Sequence, residues 1–304
     1  MEIYYQGKEI TQFVETRKCI ARDSSGRCDS LDIEFENAGV WYGWGPEEDD
    51  QIIVSHGAYS TGVMYLNTAL PENGRYRILA TALPCKARKK EYKSYCGKTI
   101  AEIMRTCGMV TGMDFAIYGI DGNTVIPYIE QENESAAGFL CRMLKYEGAK
   151  LKCVNGKYAA IGITYAQGLN PGQTLYITPQ QRGTEYRRGA AKCKRLTVKT
   201  PYACATAEDE SVPSSHAHMT LSGLPALGDM QAGRWARGML LDANRQCETM
   251  RIQTEFNAGY TAMARIDIEG GTDADGEWLI EEAEHDFINL TSAAKLYRCI
   301  RTIQ

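Results

Sequence analysis

The stretch that decides the fold lies in the last quarter of the chain. There Leu240-Leu241-Asp242-Ala243-Asn244-Arg245 ends a helical pattern, and Asp275-Gly276-Glu277-Trp278-Leu279-Ile280 follows as a hairpin. Around these two segments apolar residues recur with a period of two, which is typical of strands with one buried face. The stretch contains no catalytic motif. It predicts a helix followed by barrel-like β structure, and it favours a structural role over an enzymatic one.

The composition is that of a folded globular protein. The chain has 304 residues, 44% of them hydrophobic and 24% charged, which predicts about two domains with a sizeable core. Residues 1–5 lack a basic leader, and no segment approaches the roughly 20 consecutive apolar residues of a membrane-spanning helix. We therefore expect a chain that folds in the cytoplasm and does not insert into a membrane.

Charge and cysteine usage argue against two further classes of protein. A formal net charge of −4 gives no general affinity for nucleic acid, because binding to the phosphate backbone depends on clustered Lys and Arg. The 11 cysteines include no CxxC pair, and their odd number would leave one unpaired. Cys141, in a helical pattern, and Cys153, in a strand pattern, stand where a small apolar residue would serve. We expect reduced structural thiols without metal or redox use.

Residues 1–84 predict an N-terminal β-barrel domain. Leu31, Ile33 and Phe35 alternate with acidic residues, which is the pattern of a half-buried strand. Six strands are expected, separated by turns rich in Gly, Asn and Asp, and this number and spacing are typical of a small barrel or sandwich. The expected strands are 2–6, 17–22, 30–36, 51–56, 61–69 and 76–83.

Residues 85–165 predict a compact α+β domain. Asn133 or Ser135 can cap a helix that ends at Gly148, and Asn155-Gly156 suits the positive φ angles of a type I′ hairpin turn. The other expected elements are a helix around 100–104 and strands at 115–118, 125–129, 149–154 and 157–163.

The remaining chain is expected to be a linker, 166–190, with one strand near 174–178, and a C-terminal β-barrel domain, 191–304, with one helix. Residues 191–205 and 216–222 are expected to be the arms of a hairpin with a polar, mobile tip at 207–215. The helix is expected at 228–244 and the strands at 248–257, 262–269, 277–288 and 294–302. The predicted fold class is mainly β with an α+β insertion, in which two barrel-like domains flank a small α+β domain.

Histidine and carboxylate patterns predict no catalytic residue, no cofactor and no metal. His216 and His218 would share one face of a strand, but no third ligand lies at a suitable spacing, so a surface strand is favoured. His285 is expected to be a hydrogen-bonded barrel histidine. Residues 270–276 lack the bidentate Glu of a calcium loop and are interpreted as a turn. The sequence contains no GxSxG, HExxH or GxxxxGK[ST] motif.

Two surface features could contact a partner. The basic run 86–93 could meet phosphate, but Glu91 interrupts it, so a solvated inter-domain linker is favoured. Trp41, Tyr42 and Trp44 are expected in a loop with two neighbouring glycines. They could anchor an interface, because Trp and Tyr dominate interface hot spots, or they could plug the end of a barrel. These three aromatic residues are the candidate interface residues.

Taken in order, three regions resemble the phage late control protein D family, the central hub of contractile phage tails and of related phage-tail-like bacteriocins. The resemblance covers nearly the whole chain. It departs from the family at Asp49-Asp50, where a Gly-Asp turn is common, and in the polar segment 208–215. The three regions are Ile20-Ala21 to Phe35 with Trp44-Gly45-Pro46 and 52–57; Glu134 to Gly148 with Asn155-Gly156-Lys157; and Arg234 to Arg245 with Asp275-Gly276 to His285.

The resemblance implies a homotrimer without enzymatic activity. Each chain would supply two barrel-like domains and so adapt a hexameric tail tube to a trimeric spike. Implied partners are the tail spike protein, tail tube proteins, other baseplate proteins and the tape-measure protein, in a phage tail or phage-tail-like particle assembled in the bacterial cytoplasm.

Two other functions stay open. One is a spike-like protein of a type VI secretion system, although the chain stops at Gln304 without the β-helical repeats of such spikes. The other is a tail-tip cell-wall hydrolase, for which the sequence offers no catalytic constellation.

Overall fold

The structure is a computed structural model that describes residues 1–189 and 191–303. In this part of the chain, strands predominate over helices and form one sheet of 14 strands and three small sheets. The fold is mainly β with an α+β insertion, which confirms the predicted fold class. The domain boundaries at 84, 165 and 190 stay predictions.

The N-terminal unit contains all six strands that the sequence predicts for residues 1–84 and two short strands besides. Alternating burial explains them, because Leu31, Ile33 and Phe35 lie in the core while the residues between them are half-buried on the opposite face. Its elements are β1 (Glu2–Tyr5), β2 (Lys8–Glu9), β3 (Thr16–Ser24), β4 (Ser30–Phe35), α1 (Ala38–Trp44), β5 (Gln51–His56), β6 (Tyr59–Ser60), β7 (Met64–Glu72) and β8 (Arg75–Thr81).

The middle unit packs two helices against two small sheets. Thr99 and Glu102 form a reciprocal capping box at the start of the first helix, and Ser135 accepts a hydrogen bond from the backbone of Gly138 at the start of the second. Asn155 and Gly156 both have positive φ, as predicted for their hairpin. The elements are β9 (Lys90–Thr99), α2 (Ile100–Thr111), β10 (Asp114–Tyr118), β11 (Val125–Ser135), α3 (Ala136–Tyr146), β12 (Ala149–Val154), β13 (Lys157–Gly162) and α4 (Ile163–Gly168).

The C-terminal unit returns to the large sheet and carries an insertion. A small sheet in the order β17-β16-β18 packs with one long helix, α5, between the second and third strands of the unit in chain order. The elements are β14 (Gln173–Tyr176), β15 (Thr184–Arg188), β16 (Arg195–Lys199), β17 (Cys204–Glu208), β18 (His218–Leu221), α5 (Asp229–Arg245), β19 (Glu248–Glu255), β20 (Arg265–Glu269), β21 (Gly276–Asp286) and β22 (Thr291–Arg298).

The large sheet consists of two copies of the same six-stranded unit. In the N-terminal unit the strands are paired in the order β1-β5-β7-β8-β4-β3, and in the C-terminal unit in the order β14-β20-β21-β22-β19-β15. Each strand has the same place in the chain order of its unit, so the two halves share one topology. The units differ in one pairing, since β1 is antiparallel to β5 whereas β14 is parallel to β20. β3 of the first unit pairs with β21 of the second, which joins them in one sheet.

Four local predictions are corrected by the structure. Trp41, Tyr42 and Trp44 lie on helix α1 rather than in a loop, because buried Trp41 gives the segment an apolar side and Gly45, with positive φ, ends it. The basic run continues into strand β9, paired with β11, rather than forming a solvated linker. The described part of the predicted linker, residues 166–189, holds two strands, since β15 also pairs with β19. Residues 191–222 are not one hairpin, because β16 pairs with β17 and lies parallel to β18.

All 11 cysteines are free thiols. Cys141 lies in α3 and Cys153 in β12, the element types that the sequence predicts, and burial raises the pKa of both thiols. Raised pKa values keep these thiols protonated and poorly nucleophilic. Within the described ranges, no helix combines the length and the apolar character that a membrane crossing needs.

Candidate functional site

The first candidate site is the face of the large sheet that points away from the cores. Eight strands run across it in the order β15-β19-β22-β21-β3-β4-β8-β7, all paired antiparallel. One face of these strands forms the cores of the two units. The other face carries charged side chains in cross-strand pairs, and we call this second face the polar face.

Asp32 is the centre of one group of ion pairs on the polar face. Arg77 binds both its carboxylate oxygens, with Nε and Nη2 at 2.8 and 2.7 Å, and Lys18 Nζ lies 2.6 Å away. Partial burial opposes ionisation, but the hydrogen bonds from Arg77 and Lys18 outweigh it, so the pKa of Asp32 lies below its ordinary value. The carboxylate stays charged, and the three strands β3, β4 and β8 are linked through one side chain.

A second ion pair spans the junction of the two units. Arg22 on β3 donates from Nε to Glu284 on β21 at 2.7 Å, and the two residues are directly opposite in the register of these strands. Both side chains are well exposed, so the pair stabilises the junction by about 1 kcal/mol or less. The ion pair contributes little free energy, but it identifies the register in which β3 and β21 pair.

A groove crosses the polar face of the C-terminal unit. Two adjoining parts of it have volumes of about 490 and 420 Å³, and both are lined by Glu185, Arg251, Glu282 and Lys295. The lining mixes both signs of charge and spans β15, β19, β22 and β21. The large sheet that carries this groove is curled.

The candidate interface residues lie at one end of the N-terminal unit. Trp41 is fully buried and stacks on Tyr76 with ring centres 5.7 Å apart, whereas Tyr42 is 64% exposed and Trp44 37% exposed. Trp44 also stacks on Tyr5, at 6.1 Å between ring centres. Trp41 therefore plugs the end of the unit, while Tyr42 and Trp44 present aromatic surface, and their role as interface residues stays a prediction.

Ion pairs to a buried carboxylate fix the middle unit to helix α5. Asp242 of α5 accepts hydrogen bonds from Lys145 of α3 and Lys150 of β12, at 2.9 and 3.0 Å. Burial alone would raise the pKa of this carboxyl, but the charges of Lys150 and Arg245 outweigh burial and lower it to about 2. Sequence patterns could not find this cluster, because its members lie about 90 residues apart in the chain.

Helices α3 and α5 contact each other through side chains and through a close backbone approach. Glu147, at the end of α3, accepts hydrogen bonds from Arg234 Nε at 2.9 Å and Trp235 Nε1 at 2.8 Å. A side-chain carbon on Gly238 would lie 2.2 Å from the Tyr146 carbonyl oxygen, so only glycine permits this approach. The middle unit is therefore held rigidly against the insertion.

The segment 207–215 is anchored, and the prediction of a free polar tip is wrong. Asp209 is completely buried, and its carboxylate accepts hydrogen bonds from Asn244 Nδ2 at 2.9 Å, from Thr302 Oγ1 at 2.5 Å and from the Ser211 hydroxyl at 2.7 Å. Burial opposes ionisation, but these hydrogen bonds keep the pKa of Asp209 below its ordinary value. The segment ties the end of α5 to residues 302–303.

A third charged cluster lies where the β3–β4 turn meets β12. Lys152 of β12 forms an ion pair with Asp23 and lies 3.7 Å from Asp29. Burial raises the pKa of Asp29 to about 7, although the charge of Lys152 opposes the shift. Two buried carboxylates thus share one ammonium group at the contact between the N-terminal and middle units.

The histidines form no ligand set. His285 is buried, with Nδ1 2.9 Å from the Ser292 hydroxyl and Nε2 2.9 Å from the Tyr260 carbonyl oxygen, which confirms the hydrogen-bonded barrel histidine. His218 lies in β18, but His216 lies in the turn before it, so they do not share a strand face. Over residues 1–189 and 191–303, no three His, Cys, Asp or Glu side chains come together as a metal site would require.

No protein-family model and no curated protein matches this sequence. Solved structures do resemble it. The tail protein from Neisseria meningitidis has a TM-score of 0.74 at 11% identity, covering 98% of this chain and 95% of the other. The 43 kDa tail protein of prophage MuSo2 from Shewanella oneidensis has a TM-score of 0.71 at 12% identity, covering 98% and 97%.

A third similar structure comes from Escherichia coli. It is described as a component of the type VI secretion system with structural similarity to the bacteriophage T4 tail proteins gp27 and gp5. Its TM-score is 0.63 at 13% identity, covering 99% of this chain and 78% of the other. At these identities the likeness shows a shared fold, and the fold extends over nearly the whole of this chain.

Proposed function

We propose that this protein is the structural hub of a contractile tail baseplate, in a phage or a phage-tail-like particle, and that it acts as a homotrimer without enzymatic activity. The observation that carries the proposal is the tandem of two equivalent six-stranded units in one curved sheet. Three such chains present six similar units around a three-fold axis, which lets one face of a ring match a hexameric tail tube and another match a trimeric spike.

The polar face fits the inside of such a ring. Its charges are paired across strands, as at Asp32 with Arg77 and at Arg22 with Glu284. A surface with balanced charge gives a passing polyelectrolyte no strong site at which to stop, because its net field is small. The apolar face is already covered by the cores of the two units, so it is not available to line a channel.

The exposed aromatic residues Tyr42 and Trp44 are proposed to contact a neighbouring baseplate, tube or spike protein. Exposed Trp and Tyr at a rigid position contribute more to interfaces than most residues, and α1 is held by the buried ring of Trp41. Trp44→Ala should weaken incorporation into particles at least ten-fold. Tyr202→Ala is the matched control, since Tyr202 is 72% exposed but lies on the insertion.

The type VI secretion spike stays a second candidate, because a component of that system shares the fold over 99% of this chain. The hub and the spike-like protein differ in what they bind. Co-purification with a separate trimeric spike protein supports the hub, and association with a secretion-system tube in the absence of a separate spike supports the alternative.

The oligomer itself is tested by native mass spectrometry together with electron microscopy of the purified protein. We expect three copies and a ring with an open centre. A monomer at every concentration, up to the highest that stays soluble, would contradict the proposed hub. Release of soluble fragments from purified peptidoglycan would contradict the absence of enzymatic activity.

A further inference from the structure

The eight-stranded order across the polar face ends in two unlike strands, β15 and β7. At β15, the Gln253 N–H donates to the Gly183 carbonyl oxygen at 2.9 Å, and the Gly189 N–H donates to the Cys247 carbonyl oxygen at 3.4 Å. Residues 183, 185, 187 and 189 therefore direct their backbone groups toward β19, because antiparallel pairs alternate. The backbone N–H and C=O groups of Tyr186 and Arg188 face outward, and no described residue pairs with them.

Strand β7 offers the second edge. It turns into β8 across Asn73 and Gly74, which both have positive φ and form a two-residue hairpin. Backbone groups of residues 70 and 72 therefore face β8, and those of Ala69 and Pro71 face outward. β5 covers only the start of β7, at Met64 and Tyr65, and the backbone of residues 49 and 50 extends this cover to Leu66. The outer half of β7 is thus an open edge within the described chain.

The junction inside the chain shows how such edges fit together. β21 and β7 hold the same place in their units, and each has a bulge at the same point, between Ile280 and Glu282 and between Leu66 and Thr68. Counting from the bulges makes Ala283 equivalent to Ala69 and Glu284 equivalent to Leu70.

The partner strands align in the same way. β15 is equivalent to β3, and their registers with β19 and β4 make Arg187 equivalent to Arg22. By the same count Tyr186 is equivalent to Ala21, and Arg188 to Asp23. The outward-facing residues Tyr186 and Arg188 are those whose equivalents pair with β21 inside the chain. On both free edges, the residues whose backbone groups face outward are therefore equivalent to the residues that pair in the internal junction.

We propose that β7 of one copy pairs antiparallel with β15 of the next copy, in the register of the internal junction between β21 and β3. Leu70 then lies opposite Arg187, Pro71 opposite Tyr186 and Ala69 opposite Arg188. Because the two edges differ, the contact is head to tail, and a rotation of one third of a turn between neighbouring copies closes it into the proposed ring. The inference rests on the proposed hub and names the strands that build its trimer.

The proposed junction between chains, β7 with β15, is weaker than the internal junction, β21 with β3, for two reasons. Pro71 has no N–H, so the Tyr186 carbonyl loses the donor that the equivalent Ala21 carbonyl has in His285. Leu70 replaces Glu284, so the facing strand offers Arg187 no carboxylate like the one that Arg22 binds at 2.7 Å, and the ion pair of Arg187 is with Glu185 of its own strand. A junction with fewer hydrogen bonds and no cross-strand ion pair fits a contact that forms between separate chains. The proline also limits pairing with foreign strands.

Charge exchange at Leu70 and Arg187 tests the register. Leu70→Glu recreates the ion pair of the internal junction and should tighten the trimer by two-fold to five-fold. Leu70→Arg places two cations opposite each other and should weaken it by at least that factor. Leu70→Arg combined with Arg187→Glu should restore the trimer. The trimer–monomer equilibrium is followed by analytical ultracentrifugation, with Leu227→Arg, at an exposed leucine of the insertion, as the matched control.

Ala69→Pro tests the edge itself. It removes an N–H that faces outward, so the fold should be kept while one intermolecular hydrogen bond is lost and the trimer dissociates at higher concentration. Circular dichroism checks that the fold is kept. A trimer that responds to none of these variants overturns the proposed pairing and leaves the hub in place. A wild-type protein that never assembles overturns the hub as well.

Discussion

The N-terminal and C-terminal units pair their strands alike but connect them differently. In the first, β3 and β4 are joined by a five-residue turn, 25–29, whereas in the second the equivalent strands β15 and β19 are separated by the insertion of β16 to β18 and α5. The sheet tolerates both, because a long connection costs little more chain entropy than a short one. The two units therefore share the strand pairing that builds the polar face, and they differ in the connections between those strands.

Their cores differ in a related way. The buried tryptophan in the core of the N-terminal sheet, Trp41, comes from helix α1 and covers one end. The buried tryptophan in the core of the six-stranded C-terminal sheet, Trp278, comes from strand β21 and lies inside. Trp278 Nε1 donates to the Ala274 carbonyl oxygen at 2.9 Å, and Arg298 lies over its ring at 4.9 Å. The core of the N-terminal sheet therefore takes its tryptophan from a connection, and the core of the six-stranded C-terminal sheet takes its tryptophan from a strand.

The largest expected effect concerns that inner tryptophan. Trp278→Ala should lower the free energy of unfolding by about 3–5 kcal/mol, because it leaves a cavity and removes a hydrogen bond. Urea unfolding followed by circular dichroism measures the loss. Trp44→Ala, at a partly exposed position of the N-terminal unit, is the control and should cost less than half as much. Equal losses would mean that the sheet core is not where the C-terminal unit gains its stability.

The insertion gives the next largest effect. Asp209→Ala should lower the free energy of unfolding by about 2–3 kcal/mol, because it leaves the buried amide of Asn244 and the half-buried hydroxyl of Thr302 without their acceptor. Hydrogen exchange measured by mass spectrometry should rise in 207–215 and 300–303 and stay unchanged in the turn 25–29. Glu208→Ala, at a half-buried neighbour, serves as control. Faster exchange throughout both units would show that the insertion does not unfold independently of the large sheet.

Acid and base should act on the two connections in opposite directions. Asp242 in the insertion has its pKa lowered to about 2 in the folded chain, so its stabilising contribution is present above its ordinary value of 3.8 and is lost as the pH falls toward 2. Asp29 in the turn has its pKa raised to about 7, so stability should decline as the pH rises from about 4 to 7.

Urea midpoints between pH 2 and pH 8 separate the two carboxyl groups. Asp242→Asn should flatten the acid limb, and Asp29→Asn should flatten the decline toward neutral pH. Unchanged limbs in both variants would show that neither carboxyl couples its connection to folding.

The smallest effect concerns the junction between the units. A double-mutant cycle of Arg22→Ala and Glu284→Ala should give a coupling energy of about 0.2–1 kcal/mol, since both side chains are exposed. The coupling should fall in 0.5 M salt. A coupling of several kcal/mol would mean that this ion pair, and not the backbone pairing, holds the units together.

Periodicity predicted most of the regular elements. The alternation in β4, the Asn155-Gly156 turn and the helix capped by Ser135 were predictable because neighbours along the chain determine them. Strand β15 was not, because its residues Thr184 to Arg188 are mostly charged and become a strand only through pairing with β19. The helical state of Trp41 was missed because Gly43 and Gly45 favoured a loop.

The candidate site was less predictable than the fold. The exposed aromatic residues were found because Trp and Tyr are informative by type. The polar face was not, because it arises when Arg22 meets Glu284 from the other end of the chain. Nor was the anchoring of Asp209, since a carboxylate beside serines has the same sequence pattern in a free loop.

Cryo-electron microscopy of the assembled ring tests most directly whether the two units are equivalent positions of one closed sheet. We predict three chains whose sheet is continuous, with β21–β3 junctions inside chains alternating with β7–β15 junctions between chains, and Leu70 opposite Arg187 at each of the latter. A ring whose chains meet through other surfaces, with the β15 edge uncovered, would contradict the equivalence.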